Sequence, residues 1–357
     1  MKFAHFSHVW NKPGMTAAQR YAQLWRELAL CDELGYDYGF CVEHHFNPRE
    51  SWMPTPSIYC AGAAAHTRRL RIGPMGYIVP LYDPLRILEE AAVLDNVLDG
   101  RFELGLISGI TPLYFQHYQA DFENRRARAN EAVTLVETAF AGDEPFSFDG
   151  PFHHYENVQL SVLPLQRPHP PLWVQSRDQD TLELLARVGA HTGYLFFLPR
   201  EDAVPRYREY LRRWQEAGHA HKPNISYWTL VYVGETDEAA VAQAAPHVVH
   251  AFSRVFGSIG TGTPQSLANN FRRRGEHSAA EIAERLTDVD YLLSRNLVFI
   301  GSAETVARRI REAASDGLFN TLNCEFNFGT MDESDLMESM RRFGTQVQPA
   351  LRDYEPF

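Results

Sequence analysis

The segment Glu43-His44-His45-Phe46 puts three side chains able to hold or move a proton at the end of an apolar, β-rich run from Tyr36 to Glu43. Its competing reading is a pair of satisfied structural histidines. Chelation of one ion by all three is disfavoured, because consecutive residues of a strand point to opposite faces, and no HExxH or equivalent cluster appears elsewhere. We therefore expect no metal. A second constellation, Gln175-Ser176-Arg177 with Thr181 four residues further on, joins hydroxyls and a guanidinium to a helix N-terminus, a set that suits a phosphate. Ordinary N-capping gives the same residue types. A third, Gly73-Pro74-Met75-Gly76-Tyr77, ends a strand in small residues that let a flat ligand approach the backbone.

Several chemistries drop out. The chain has no Walker motif, no G-x-S-x-G elbow and no G-x-G-x-x-G between its first strand and helix, where it reads SHVWNKPGM. Its 34 basic against 45 acidic residues give a formal charge of -11, which argues against nucleic acid as the main partner. Cys31, Cys41, Cys60 and Cys324 lack CxxC spacing and sit among apolar residues, so buried free thiols are expected. No apolar stretch approaches the roughly 18 residues of a membrane span, and the first strand begins almost at Met1, so we expect no signal peptide, no membrane association and a cytoplasmic location.

The elements that must position these residues alternate. Strands are expected at Lys2 to Ser7, Tyr36 to Glu43, Leu70 to Val79, Arg101 to Ile107, Leu172 to Ser176, Thr192 to Phe197, Asn224 to Val233 and Phe319 to Phe326. Helical patterns lie between them, among them Thr16 to Gly35, Pro56 to His66, Pro84 to Leu98 and Asp178 to Gly189. Eight such units in 357 residues suit one (β/α)8 TIM barrel, a single domain over residues 1–357, better than an open doubly wound sheet. Pro145 to Leu163, with its Asp149-Gly150-Pro151 turn, reads as an inserted hairpin. Gly257 to Asp290 reads as a long mobile loop. In a barrel the chemistry gathers at the strand C-termini, where all three constellations fall.

The MKFAHF start, DELGYDYGFCVEHHF, RIGPMGYIVPLYDPLR, LDNVLDGRFELGLISG, RPHPPLWVQS with Thr181 and GLFNTLNCEFNF resemble, collinearly and over nearly the whole chain, bacterial luciferase-like flavin-dependent monooxygenases. The resemblance implies reduced FMN bound at the strand C-termini and O2 forming a flavin hydroperoxide that attacks an aldehyde, ketone or similar apolar organic substrate. The cofactor then carries the hard chemistry. It implies that His44 lies beside the flavin and handles protons, with Glu43 and His45 as supports. It also implies a cis Met75-Gly76 bond under the flavin ring and a flavin-facing Glu89. Two positions depart from bacterial luciferase: Ile107 stands where a reactive cysteine is found and Ser108 where a phosphate-binding arginine is found. Arg177 is expected to compensate for the second.

No nicotinamide fingerprint is present, so a separate NAD(P)H:flavin reductase is expected to supply the reduced FMN. The Gly257 to Asp290 loop is expected to act as a water-excluding lid. Phe6, His8, Trp10, Tyr77, Tyr114 and Trp228 are expected to line an apolar pocket, and the helices around residues 57 to 66 and 84 to 98 to form a homodimer. Two rivals remain open here: a deazaflavin-dependent hydride-transfer oxidoreductase of the same fold, and a noncatalytic partner subunit of a luciferase-like heterodimer. The intact Glu43-His44-His45 segment argues against the second.

Overall fold

The computed structural model describes residues 1–258 and 264–357. Twelve strands follow in chain order: β1 Lys2–Ser7, β2 Tyr38–Cys41, β3 Arg71–Pro74, β4 Tyr77–Ile78, β5 Leu104–Ile107, β6 Phe146–Asp149, β7 His154–Val158, β8 Leu172–Gln175, β9 His191–Leu195, β10 Ile225–Val233, β11 Phe299–Gly301 and β12 Thr321–Glu325. The parallel order runs β3-β2-β1-β12-β10-β9-β8-β5-β4. β3 and β4 are two halves of one barrel strand. Ile72 of β3 bridges to Phe102 just before β5, and β4 pairs with β5 through Tyr77 and Leu106, which closes the barrel at eight.

At that closing seam backbone lies against backbone. A Cβ on Gly105 would fall 1.9 Å from the Pro74 carbonyl oxygen, and one on Gly76 would fall 2.3 Å from the Gly105 carbonyl carbon. The missing side chains of Gly73, Gly76 and Gly105 therefore serve strand closure. That need stands independently of any ligand.

Helices cover the outside. Thr16 caps the helix Ala17–Glu33 with a reciprocal capping box to Gln19, and Asp83, Asp178 and Ser302 cap the helices Pro84–Val97, Gln179–Val188 and Ala303–Gly317 through their side chains. Gly35, at φ +74°, turns the chain out of the first of these. The barrel core is aromatic at its base, where Trp173, Phe40, Tyr38 and His191 pack ring against ring.

The inserted excursion is an antiparallel hairpin of β6 and β7. The expected long loop is different. Its described part forms the helices Pro264–Arg273, His277–Glu284 and Val289–Ser294; the first two pack on each other, and Ala268, Ala279 and Ala280 on them are buried. Alanine and isoleucine at helical spacing were masked in the sequence by glycine and arginine around them. Residues 259–263, which belong to the expected lid, lie outside the described residues. β11 also had no place in the eight-strand scheme; it pairs with β10. All four cysteines are buried and free. Among the described residues no helix is long and apolar enough to cross a membrane, and no group of three or more His, Cys, Asp or Glu side chains is placed to hold a metal ion.

Candidate active site

The turn after β2 divides the three polar residues between two environments. His45 Nε2 lies 2.8 Å from Glu43 Oε1, and its Nδ1 lies 3.3 Å from the Tyr118 hydroxyl. Glu43 also accepts from the Ile78 amide at 2.7 Å and from the Tyr82 hydroxyl at 2.8 Å. Both residues are buried with their hydrogen-bonding groups engaged, so they brace the β2 and β4 ends. His44 points the other way. Its Nδ1 lies 3.1 Å from Glu50 Oε1, and a quarter of its side chain is open.

Beside it stands a group that the sequence marks only as pocket lining. His8, just beyond β1, places Nδ1 2.6 Å from Oε2 of Glu325, the last residue of β12. The His8 and His44 rings meet edge to face with centroids 5.3 Å apart. Among the described residues neither Nε2 has a hydrogen-bond partner, and neither is sealed from solvent. Phe6, Trp10 and Trp228 surround His8 with centroids 5.6, 4.9 and 5.3 Å away, and Phe196 packs on Trp228. Tyr114 faces His44 at 6.4 Å and His45 at 5.3 Å. Tyr77 is not part of this wall: its hydroxyl donates to Glu90 on the helix Pro84–Val97.

The other expected residues fall in two places. Met75-Gly76 is a cis peptide bond. Gln175 reaches inward, donating to Ser226 Oγ at 2.9 Å and lying 3.6 Å from Met75 Sδ. Ile107 packs against Ile78, Tyr114 and Phe115, and Ser108 is half-buried where β5 ends.

Ser176, Arg177 and Thr181 gather where β8 meets the helix Gln179–Val188. There Ser176 Oγ accepts from the Asp178 amide, and Asp178 caps the Thr181 amide at 3.2 Å. Arg177 is paired with Glu276 at 3.0 Å, so its charge is partly met within the protein.

A further cation stands nearby. Arg125 lines a cavity of about 400 Å3 with Arg126, Asn130 and three carboxylates, Glu123, Asp178 and Asp180, at the N-terminus of that helix; Arg126 is paired with Asp178. It bonds the Phe122 carbonyl at 2.7 Å and lies on the Phe122 ring, and among the described residues it makes no ion pair. Burial first, then the like charges of Arg126 and Arg274, hold its guanidinium below the usual arginine value. Such a group is suited to an anion.

Glu89 is a correction. It lies on the exposed face of the helix Pro84–Val97, its side chain 53% open and 3.9 Å from Arg86, because Ile87, Leu88, Ala91 and Ala92 take the face that packs on the barrel.

The luciferase-like monooxygenase family model matches residues 1–319, and the chain belongs to that family of flavin-dependent monooxygenases. A similar sequence is the oxygenase component of the flavin-dependent trigonelline monooxygenase of Acinetobacter baylyi, 23% identical over 72% of this chain and 71% of that one. A similar structure is the oxygenating constituent of 3,6-diketocamphane monooxygenase from Pseudomonas putida in complex with FMN. It superposes with TM-score 0.78 at 20% identity over 98% of each chain. An F420-dependent secondary alcohol dehydrogenase superposes with TM-score 0.70 at 15% identity over 99% of each chain.

Proposed function

We propose that the chain is the oxygenase component of a two-component monooxygenase. It takes reduced FMN from a separate NAD(P)H:flavin reductase and uses O2 to oxygenate an organic substrate such as an aldehyde or ketone. The observation that carries this is His44, held by Glu50 at Nδ1 and left open at Nε2 inside an aromatic mouth at the strand C-termini. The residues present fit a flavin: Arg125 beside a helix N-terminus offers a phosphate site, and the ring end of the site would lie toward Met75, Gln175 and His44. That the similar trigonelline enzyme is an oxygenase component supports a partner reductase.

Reduced flavin, when bound, supplies the electrons that activate O2. The chain supplies the rest. Arg125, with Ser176, Arg177 and Thr181 nearby, anchors the phosphate. Glu50 fixes the tautomer of His44 so that Nε2 can hold or pass a proton, a role worth roughly 10²–10⁴ in rate. Phe6, Trp10, Trp228 and Phe196 keep water away from the reacting centre. Glu43 and His45 keep the β2 turn in place. A deazaflavin enzyme would share the fold, as the F420-dependent neighbour does. Titration of the apoprotein with each reduced coenzyme separates the two, and preference for FMN is the expected result.

A further inference from the structure

Glu325 has no exposed surface, and four N–H groups converge on its two oxygens. The His8 amide and the Trp10 indole donate to Oε1 at 3.2 and 3.0 Å; His8 Nδ1 and the Trp228 indole donate to Oε2 at 2.6 and 3.3 Å. This carboxylate acts purely as an acceptor, and it fixes His8 with the proton on Nδ1 and the Nε2 position toward the mouth. The mouth therefore holds two imidazoles, each with its own carboxylate, Glu50 behind His44 and Glu325 behind His8. One proton-handling group beside the flavin leaves the second without a task. Among the described residues the ionisable groups in contact with His8 are Glu325 and His44, and the rings around it are Phe6, Trp10 and Trp228.

We propose that His8, positioned by Glu325, is the group that binds the substrate, and that the substrate is a planar compound bearing an acidic hydroxyl, phenolic or enolic. The hydroxyl proton passes to His8 Nε2. The O–H bond breaks, the N–H bond forms, and the substrate oxygen keeps the electron pair as an oxyanion against the imidazolium. The Nδ1 proton stays on His8, donated to Glu325, throughout, and no electron leaves the substrate in this step. An unsubstituted hydrocarbon or a simple ether would leave Nε2 facing an apolar group with nothing to bond, which is the basis of the selectivity. The proposal narrows the substrate of the monooxygenase reading and rests on that reading for the later oxygen transfer. Binding and deprotonation need neither flavin nor O2.

The test uses the flavin-free protein with 4-nitrophenol, whose ionised form is coloured, and with 4-nitroanisole, which keeps the ring and nitro group and carries a methyl in place of the hydroxyl proton. In a buffer that keeps free 4-nitrophenol mostly protonated, we expect the bound phenol to show an ionised fraction raised about tenfold, the effect of one charge-assisted hydrogen bond. We expect nitroanisole to bind at least about tenfold more weakly. His8→Gln should abolish the colour change and bring both affinities together; Glu325→Gln is the second variant, and circular dichroism shows whether each is folded. Equal affinity of the wild-type protein for the two probes, absence of binding by either, or a colour change retained in folded His8→Gln overturns the proposal. The wild-type comparison decides even if both variants misfold. A negative outcome beside tight FMN binding removes the substrate assignment and leaves the flavin reading standing.

Discussion

His45 Nε2 lies 2.8 Å from Glu43 Oε1, and this bond turns the ring of His45 away from the mouth while His44, one residue earlier, faces it. Neighbouring histidines thus sit in separable environments. His44→Ala should lower turnover roughly 10²–10⁴-fold with little change in melting temperature, since His44 is partly open. Glu43→Ala should instead strand the Ile78 amide, the Tyr82 hydroxyl and His45, at about 3–5 kcal/mol of stability. Single-turnover kinetics and thermal melts of the two variants check the division; a His44→Ala protein with normal turnover would remove His44 from the chemistry.

The phosphate site can be probed by comparing FMN with riboflavin. Arg125→Ala should weaken FMN binding roughly 10- to 100-fold, the equivalent of one or two charged hydrogen bonds, and leave riboflavin binding nearly unchanged. Arg177→Ala should weaken FMN less, because Glu276 already engages that guanidinium at 3.0 Å. Equal effects on FMN and riboflavin would show that Arg125 does not meet a phosphate.

Acid stability follows from two buried groups. Burial at the barrel base, against Trp173, pushes His191 down from 6.5 to about 3. The unfolded chain therefore binds a proton that the folded one refuses, and stability falls as pH drops from 6.5 toward 3. Burial pushes Glu27 up, but Arg20, His5 and Lys12 outweigh it and hold the carboxyl at about 2 rather than 4.5, so its contribution is lost only below 4.5. Denaturant melts between these limits should show His191→Gln losing part of the slope from 6.5 to 4.5, the half-buried His247, also lowered by burial, keeping the rest, while the loss below 4.5 remains. An unchanged slope in the variant would rule out His191 as its source.

The neighbouring helices Pro56–His66 and Pro84–Val97 carry Ile58, Val93 and Val97 at 67, 46 and 53% exposure. We expect these residues to lie in a homodimer contact, as the small residues of AGAAAH suggest. Sedimentation should show a dimer for the wild-type chain and a monomer for Ile58→Glu combined with Val97→Lys. A wild-type monomer at micromolar concentration would contradict it.

The eight barrel strands were legible because each is a short apolar run ended by a turn signal, and the Asp149-Gly150-Pro151 turn likewise marked the hairpin. His44 was legible because it ends such a strand. Glu325 was not, since the residue that gives it meaning, His8, lies 317 positions away and only barrel closure brings β1 beside β12. Arg125 was hidden in a run of arginines on a helix start, where charge alone looks like a solvated face. Glu89 went the other way: motif position suggested a role, and the 3.6-residue period of its helix turns it outward. The helices after Pro264 were lost to local composition.

The most direct test is anaerobic titration of the purified chain with reduced FMN and, in parallel, with a reduced deazaflavin coenzyme, followed by isolation and addition of air-saturated buffer and a candidate organic substrate. We expect reduced FMN to bind at one per chain, more tightly than either oxidised FMN or the deazaflavin, and air to yield oxygenated product without any nicotinamide present. Failure to bind reduced FMN, with saturable binding of the deazaflavin, would contradict the monooxygenase reading and leave a hydride-transfer enzyme on the same barrel.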